Sequence, residues 1–236
     1  MSLPPRGARI GRSSRPRTRH WTLAAARPEG SLCSSSSEAT TKQLEPSDQR
    51  RLLDIARRAT EAAVCRNPDR GLDDGAPSPA LAEPAAAFVT LRERGELRGC
   101  IGLMRFDVPL WINVRDAAAA ATLDDPRFLP VTESELGALE VEVSVLEPPV
   151  ELPDPAGFEA GRHGIVVERG MGRALLLPQV ATEMGWSAEQ MLDAVCRKAG
   201  LAGSAWRDKG TRLFVFESVC FGEREPAGSA DPAPTS

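Results

Sequence analysis

A thiol and a guanidinium stand two residues apart in the segment 97–102, Leu-Arg-Gly-Cys-Ile-Gly. Because side chains alternate along a strand, we expect Arg98 and Cys100 to share one face. Gly99 and Gly102 would let a backbone or a ligand approach closely. A cation beside a thiol favours the nucleophilic thiolate, so Cys100 is the best candidate for a nucleophile or a metal ligand. The alternative is a structural cysteine in a glycine-kinked strand, with Arg98 paired to a carboxylate.

His163 is a candidate general base for Cys100. The other histidine of the chain, His20, lies in the polar N-terminal segment, whereas His163 occupies a Gly-x-His-Gly turn before a predicted strand. A general base must come within hydrogen-bond reach of the group that it deprotonates. The alternative is a turn histidine that is hydrogen-bonded to the backbone.

Glu142 and Lys198 are candidate binding residues. Glu142 lies on the polar face of a predicted strand, where it could orient His163 or meet Arg98, although a solvated face is the simpler interpretation. Lys198 follows a predicted helix and could bind an anionic substrate, although cations are expected near a helix C-terminus in any case.

Patterns for metal, phosphate or serine-hydrolase chemistry are missing from the sequence. It has no Gly-rich phosphate loop, Ser-His-Asp set or His-Glu-x-x-His pair, and one cysteine with one histidine does not complete a zinc site. We therefore expect no metal or cofactor. Asp125 and Arg127 flank Pro126, and their simplest role is to fix a turn.

Composition favours a reduced, cytoplasmic protein. The 236 residues are 42% hydrophobic, and no apolar run approaches the ~20 residues that a membrane helix needs. The five cysteines include no Cys-x-x-Cys pair, which argues against a disulfide framework, and Cys196 and Cys220 fit apolar patterns typical of small core residues. The sequence does not indicate an oligomeric state.

The charge distribution separates a basic start from an acidic body. Residues 1–37 hold seven arginines and one acid, which leaves 22 basic and 32 acidic residues in the remainder, a net charge of −10. An acidic body repels phosphate, so nucleic acid is not an expected partner. We predict that residues 1–45 are a disordered basic extension, with a transit peptide and a surface-binding tail as alternatives, and that 223–236 are a second disordered tail.

The sequence pattern of residues 46–222 predicts one α+β domain, in which a mainly antiparallel sheet is flanked by helices. The predicted elements are a helix capped by Ser47, a hairpin over 86–104, a helix from Asp107 or Pro109 to before Asp124, a strand over 139–145, a hairpin over 164–177, a helix from Ser187 to Gly200, and a strand over 213–221.

An ordered set of segments resembles the AMMECR family, also described as protein A of the AmmeMemoRadiSam system. The segments are 88–91 (Phe-Val-Thr-Leu), 97–102, 117–121 with 125–128 (Asp-Pro-Arg-Phe), 141–146 (Val-Glu-Val-Ser-Val-Leu), 161–164 (Gly-Arg-His-Gly), 177–180 (Leu-Pro-Gln-Val) and 198–201 (Lys-Ala-Gly-Leu). One six-residue match would be weak, but seven in the family's order within a domain of about 175 residues are specific.

The resemblance implies a fold and possible partners but no established reaction. It implies a larger and a smaller subdomain, with a five-stranded antiparallel sheet in the larger part. It also implies a genomic association with a Memo-like and a radical-SAM protein. Two hypotheses follow: a binding or accessory component of that pair, or a cysteine-dependent enzyme that acts on a small molecule or peptide through Cys100. A third hypothesis, the least favoured, is a nucleic-acid adaptor that binds through the basic extension.

Overall fold

The structure, a computed structural model, describes residues 44–66 and 78–224. The predicted extension at residues 1–45 and the predicted tail at 223–236 lie almost wholly outside these ranges. The helices are α1 (Pro46–Val64), α2 (Pro79–Ala82), α3 (Leu110–Leu123), α4 (Pro178–Met184) and α5 (Ala188–Lys198). The strands are β1 (Ala86–Glu93), β2 (Glu96–Leu103), β3 (Leu139–Leu146), β4 (Val150–Glu151), β5 (Gly164–Arg169), β6 (Gly172–Leu176), β7 (Arg212–Phe216) and β8 (Ser218–Gly222).

The first sheet has the strand order β2-β1-β3-β8, with every neighbouring pair antiparallel. The predicted first hairpin, β1 and β2, forms one side of this sheet. Its turn contains Arg94 and Gly95, which both have positive φ (53° and 85°). Two consecutive left-handed residues make a tight turn that matches the twist of the flanking strands. Strand β2 is therefore an edge strand.

Helices α1 and α3 cover one face of the first sheet. Their small buried residues, such as Ala56 and Ala117, allow close packing against Val89 and Val143 of the central strands. Asn113 of α3 is fully buried, and its amide donates to the carbonyl oxygens of Ala85 (2.7 Å) and two other residues near the start of the helix. This amide ties the helix to the beginning of β1.

The second sheet has the order β4-β7-β5-β6 and is also antiparallel. Helix α5 packs on it through Met191, Val195 and Cys196, so Cys196 is the core cysteine that the sequence predicts. The predicted capping box between Ser187 and Gln190 is present. The predicted end at Gly200 is also present, with a left-handed φ of 75°.

Two chain segments cross between the sheets. Strand β3 of the first sheet leads through Glu147 to β4 of the second, and β7 of the second leads through Glu217 back to β8 of the first. The crossings run side by side, since the N–H of Glu147 donates to the carbonyl of Glu217 at 3.0 Å. The prediction of one strand over 213–221 was wrong because no glycine or proline marks the crossing between β7 and β8 in the sequence.

The α+β class with antiparallel sheets flanked by helices is confirmed, with four corrections of detail. Within the described ranges each sheet has four strands, so the five-stranded sheet is not present. Ser47 lies inside α1, whose N-cap is Glu45, and α3 begins at Leu110 with Pro109 as its N-cap. Helix α4 was not predicted. In the part of the chain that the structure describes, no helix is long and apolar enough to span a membrane.

Candidate functional site

The face of the first sheet opposite α1 and α3 carries a row of polar side chains, which we call the polar face. Cross-strand pairing places Cys100 of β2 opposite Thr90 of β1, and Thr90 opposite Glu142 of β3. Because directly opposed residues share a face, these three side chains project together. Arg92 and Ser144, two residues along β1 and β3, continue the row on the same face.

Cys100 is half-buried on the polar face, and its surroundings are polar. The hydroxyl of Thr90 donates to its Sγ at 3.4 Å. Its backbone N–H donates to Oδ2 of Asp125 at 2.8 Å, and its carbonyl accepts from Nη2 of Arg127 at 3.3 Å. The loop after α3 thus satisfies both backbone groups that an edge strand would otherwise leave unpaired. The thiol is not sealed within hydrocarbon.

Asp125 is the acceptor that holds this loop in place. Its side chain is only 2% exposed, and it accepts from Nε and Nη2 of Arg127 at 3.0 and 2.7 Å as well as from two backbone N–H groups. The Arg127 hydrogen bonds, assisted by the N–H groups of Cys100 and Arg127, lower the Asp125 pKa to about 2 against the opposing effect of burial. The carboxylate is therefore an ionised structural anchor at neutral pH.

Lys198 approaches the same place from the second half of the molecule. It lies at the end of α5, and its Nζ donates to the carbonyl of Leu175 in β6 at 3.1 Å. Burial around the ammonium lowers the Lys198 pKa; a Cys100 thiolate raises it, and the neighbouring Arg127 lowers it. Solvent still reaches the side chain and moderates the effect. Lys198 is therefore within electrostatic range of Cys100 and Arg127.

Helix α4 packs over the other end of the polar face. Gln179 donates to the hydroxyl of Ser144 at 3.1 Å. Arg92 joins the sheet to this helix, because it donates to Glu142 at 2.9 Å and to Glu183 at 3.2 Å. Glu142 is thus an ion-pair partner of Arg92 and contacts neither Arg98 nor His163.

Arg98 is turned away from the thiol. The register pairs Leu91 with Gly99 and Arg92 with Leu97, which leaves Arg98 as the extra residue of a β-bulge. Its guanidinium binds Glu135 through two hydrogen bonds (2.6 and 3.3 Å) and donates to the backbone carbonyls of the segment 129–130. The expected projection of Arg98 beside Cys100 was wrong because the bulge breaks the alternation along β2. The alternative, a carboxylate partner, is what the structure has.

His163 lies in the turn before β5, apart from the polar face. Its Nδ1 accepts from the backbone N–H of Glu159 at 3.2 Å, and its ring centroid lies 6.3 Å from that of Phe158. Within the described ranges no hydrogen bond joins the imidazole to Cys100. This arrangement matches the turn histidine given as the alternative, and the structure does not bring the predicted Arg98, Cys100 and His163 together.

Gly99 and Gly102 both pack closely against other atoms of the protein. A Cβ on Gly99 would lie 2.4 Å from the carbonyl oxygen of Ala121 in α3, so this glycine lets strand and helix backbones meet. A Cβ on Gly102 would lie 2.1 Å from the ring of Phe88, which covers Gly102 from the neighbouring strand. Neither glycine opens space for a ligand.

The comparisons with known proteins identify the family. The AMMECR1 family profile matches residues 53–221. The chain belongs to the AMMECR1 family. It is 42% identical over 186 residues to a protein of Methanothermobacter thermautotrophicus, covering 76% of this chain and 96% of the relative. A Thermococcus onnurineus protein is 40% identical over 193 residues, covering 78% and 94%. The crystal structure of an uncharacterized Pyrococcus horikoshii protein matches with a TM-score of 0.72 and 36% identity, covering 78% of this chain and 95% of that one.

Several residues of the site in this AMMECR1 protein were not predicted to belong to it. Thr90 and Arg92 lie on β1. Thr90 contacts Cys100 and Arg92 contacts Glu142 because of a strand register that cannot be read from the sequence alone. Asp125 and Arg127 were predicted only to fix a turn. Opposite charges on either side of a proline were the feature of the sequence that could have indicated their role in the site. Cys220 was wrongly predicted to be a core residue and is exposed on β8.

Proposed function

We propose that this AMMECR1-domain protein is a binding or accessory component associated with Memo-like and radical-SAM proteins, and that the polar face is its recognition surface. The observation that carries the proposal is the setting of Cys100. Its thiol is half-buried, accepts a hydrogen bond from the hydroxyl of Thr90, and lies beside the guanidinium of Arg127. The arrangement supports binding better than acid–base chemistry.

The groups needed for catalysis are engaged elsewhere. A general base works from within hydrogen-bond reach of the thiol. His163 accepts a backbone hydrogen bond in another turn. Asp125, the carboxylate bonded to the backbone of Cys100, has a pKa of about 2 and so has little tendency to take a proton near neutral pH. Arg98, the predicted assistant, is paired with Glu135.

The cations of the polar face favour recognition of an acidic or polar surface. Arg127 is 52% exposed even though Asp125 binds it, and Arg92 reaches across to α4. Arginine is enriched in protein interfaces because its planar guanidinium makes several directed hydrogen bonds. Lys198 adds a flexible cation from α5.

Co-purification with the Memo-like and radical-SAM proteins of the same organism tests this function. We expect a complex with the wild type and with Cys100→Ala, and loss of the complex with Lys198→Glu, which reverses the charge that α5 adds beside the polar face. Lys209→Glu is the matched control, because it reverses a lysine charge in the loop before β7. Absence of a wild-type complex, or equal binding by the two lysine variants, would contradict the proposal.

A cysteine-dependent enzyme is the second candidate, and one observation favours it. Arg127 donates to the backbone carbonyl of Cys100 at 3.3 Å, which places a guanidinium beside the residue that carries the thiol. This alternative requires a reactive Cys100, and Cys65, another half-buried thiol, at the end of α1, is an internal reference. Alkylation by iodoacetamide near neutral pH, followed by peptide mass spectrometry, should then label Cys100 faster than Cys65. Slower labelling of Cys100 would exclude it.

A further inference from the structure

The second sheet and helix α5 border a cavity that is separate from the polar face. Its volume is about 630 Å³, which is within the usual range of small-molecule sites. The lining comes from the segment after β4, from the first turns of α5, and from the segment 206–213, which leads into β7. Lys198 ends α5 and lies ~15 Å along the helix from Ala188 at the cavity.

Part of the cavity lining is apolar and held in place. Leu192 of α5 and Leu213 of β7 are buried, and Leu152 is half-buried. The indole N–H of Trp206 donates to Oδ1 of Asp193 at 2.7 Å, which orients the ring. An apolar group that entered the cavity would remove this surface from water, which is favourable.

An ion-pair network joins Trp206 to α5 at one wall of the cavity. The guanidinium carbon of Arg207 lies 3.8 Å from the centroid of the Trp206 ring, and Arg207 also binds Glu189. Asp193 faces two guanidinium groups, those of Arg207 at 3.9 Å and Arg197 at 3.8 Å. The charges of this wall therefore have partners within the protein.

Two charges of the lining have no such partner. Asp208 is bound by Arg169 of β5 at 2.6 Å. In the part of the chain that the structure describes, Asp154 and Lys209 are then the charged lining residues without an ion pair, either with each other or with a third group. Both are exposed, and the Asp154 carboxylate accepts only from the backbone N–H of Ala156, at 3.0 Å. The cavity thus presents one negative and one positive group that are held apart.

We propose that this cavity binds a short zwitterionic peptide with apolar side chains, its amino terminus at Asp154 and its carboxylate at Lys209. Each terminus meets the opposite charge, and the side chains cover the leucines of the lining. Because Asp154 and Lys209 do not pair with each other, they suit a ligand whose two charges stand at its two ends. The volume equals about twenty waters at ~30 Å³ each, so a free amino acid would leave most of it empty. This site goes beyond the recognition role proposed for the polar face.

Calorimetric titration of the full chain with a dipeptide tests the proposal. The probes are leucyl-leucine, its N-acetyl form, which lacks the ammonium, its amide, which lacks the carboxylate, and free leucine. We expect leucyl-leucine to bind most tightly. Blocking either terminus should weaken binding by about three- to fivefold, as for an ion pair that solvent reaches. Free leucine should bind more weakly because it covers less apolar surface.

Two variants assign the termini separately. In Lys209→Gln the dipeptide and its amide should bind equally, while acetylation still weakens binding. In Asp154→Asn the dipeptide and its N-acetyl form should bind equally, while amidation still weakens binding. Asparagine keeps an acceptor for the N–H of Ala156, so the turn is retained. Asp124→Asn, at the end of α3, is the control that should keep both differences.

The other outcomes overturn the proposal. Absence of leucyl-leucine binding by the folded wild type excludes the site, and equal binding of the blocked forms excludes recognition of the termini. Differences that persist in Lys209→Gln and Asp154→Asn place the termini elsewhere, and equally tight binding of free leucine excludes a peptide. Because the chain is titrated alone and the cavity is separate from the polar face, these results and those on the complex with the Memo-like and radical-SAM proteins are independent.

Discussion

At the scale of single residues, the site depends on which polar groups already have hydrogen-bond or ion-pair partners. Asp125 and Glu135 each bind an arginine and backbone or hydroxyl donors, and each has a pKa lowered to about 2, chiefly by the arginine hydrogen bonds. Both carboxylates hold the loop after α3 against the edge strand β2. The thiol of Cys100 accepts a hydrogen bond from Thr90 and has the guanidinium of Arg127 beside it. The carboxylates around it are thus structural, and the cations are the groups with remaining capacity.

Asp125→Asn should destabilise the fold at neutral pH. The Asp125 pKa is about 2 in the folded chain against an ordinary 3.8, so its charge stabilises the fold above pH ~4 and this contribution disappears as the pH falls through ~2. A shift of this size in a buried carboxylate corresponds to roughly 2 kcal/mol. Urea unfolding at pH 7 and near pH 3 measures it, and the difference between the wild type and the variant should shrink at the lower pH.

The exposed neighbour Asp124 provides the matched control for Asp125. Asp124→Asn removes the same charge one residue away, at the end of α3, and should change the free energy of unfolding by less than about 0.5 kcal/mol. If Asp125→Asn were as mild as Asp124→Asn, the loop would not depend on this carboxylate.

At the scale of elements, the sequence predicts what periodicity and capping determine and misses what register determines. Helix α5 and strand β3 were found because a capping box and a strict alternation are local signals. The bulge at Arg98 was missed because it depends on how β2 pairs with β1. Helix α4 has seven residues, too few for a clear apolar period. The predicted site was wrong for the same reason, because alternation along β2 was the only basis for placing Arg98 beside Cys100.

Gly99→Ala tests the contact between β2 and α3. The added Cβ would lie 2.4 Å from the carbonyl oxygen of Ala121, a backbone atom that cannot move without shifting the helix. We expect a loss of about 2–4 kcal/mol in the free energy of unfolding, as for other overpacked sites. Chemical denaturation measures it, and Gly137→Ala, which adds its Cβ to open space, should be close to neutral. A neutral Gly99→Ala would show that the strand and helix can separate without cost.

At the scale of the whole molecule, the two sheets are joined by two crossings, and the polar face receives residues from both halves. Lys198 and Glu183 come from helices of the second half, while Cys100 and Arg92 come from the first sheet. A single sequence gives the order of these elements. It does not give the change of sheet at Glu217, because no glycine or proline in the segment 213–221 marks the end of one strand and the start of the next. The family membership was readable because it rests on ordered local motifs.

The crossings place Glu147 and Glu217 side by side, which leads to a prediction about pH. Burial, and then the charge of Glu217, raise the Glu147 pKa. A carboxyl with a raised folded pKa favours the folded state when protonated, so its effect on stability becomes unfavourable as the pH rises through that pKa. Glu147→Gln should therefore raise the unfolding temperature by about 1–3 °C at pH 7, and the gain should vanish near pH 4. The exposed Glu133→Gln is the control. Equal gains at both pH values would mean that ionisation at the crossing does not limit stability.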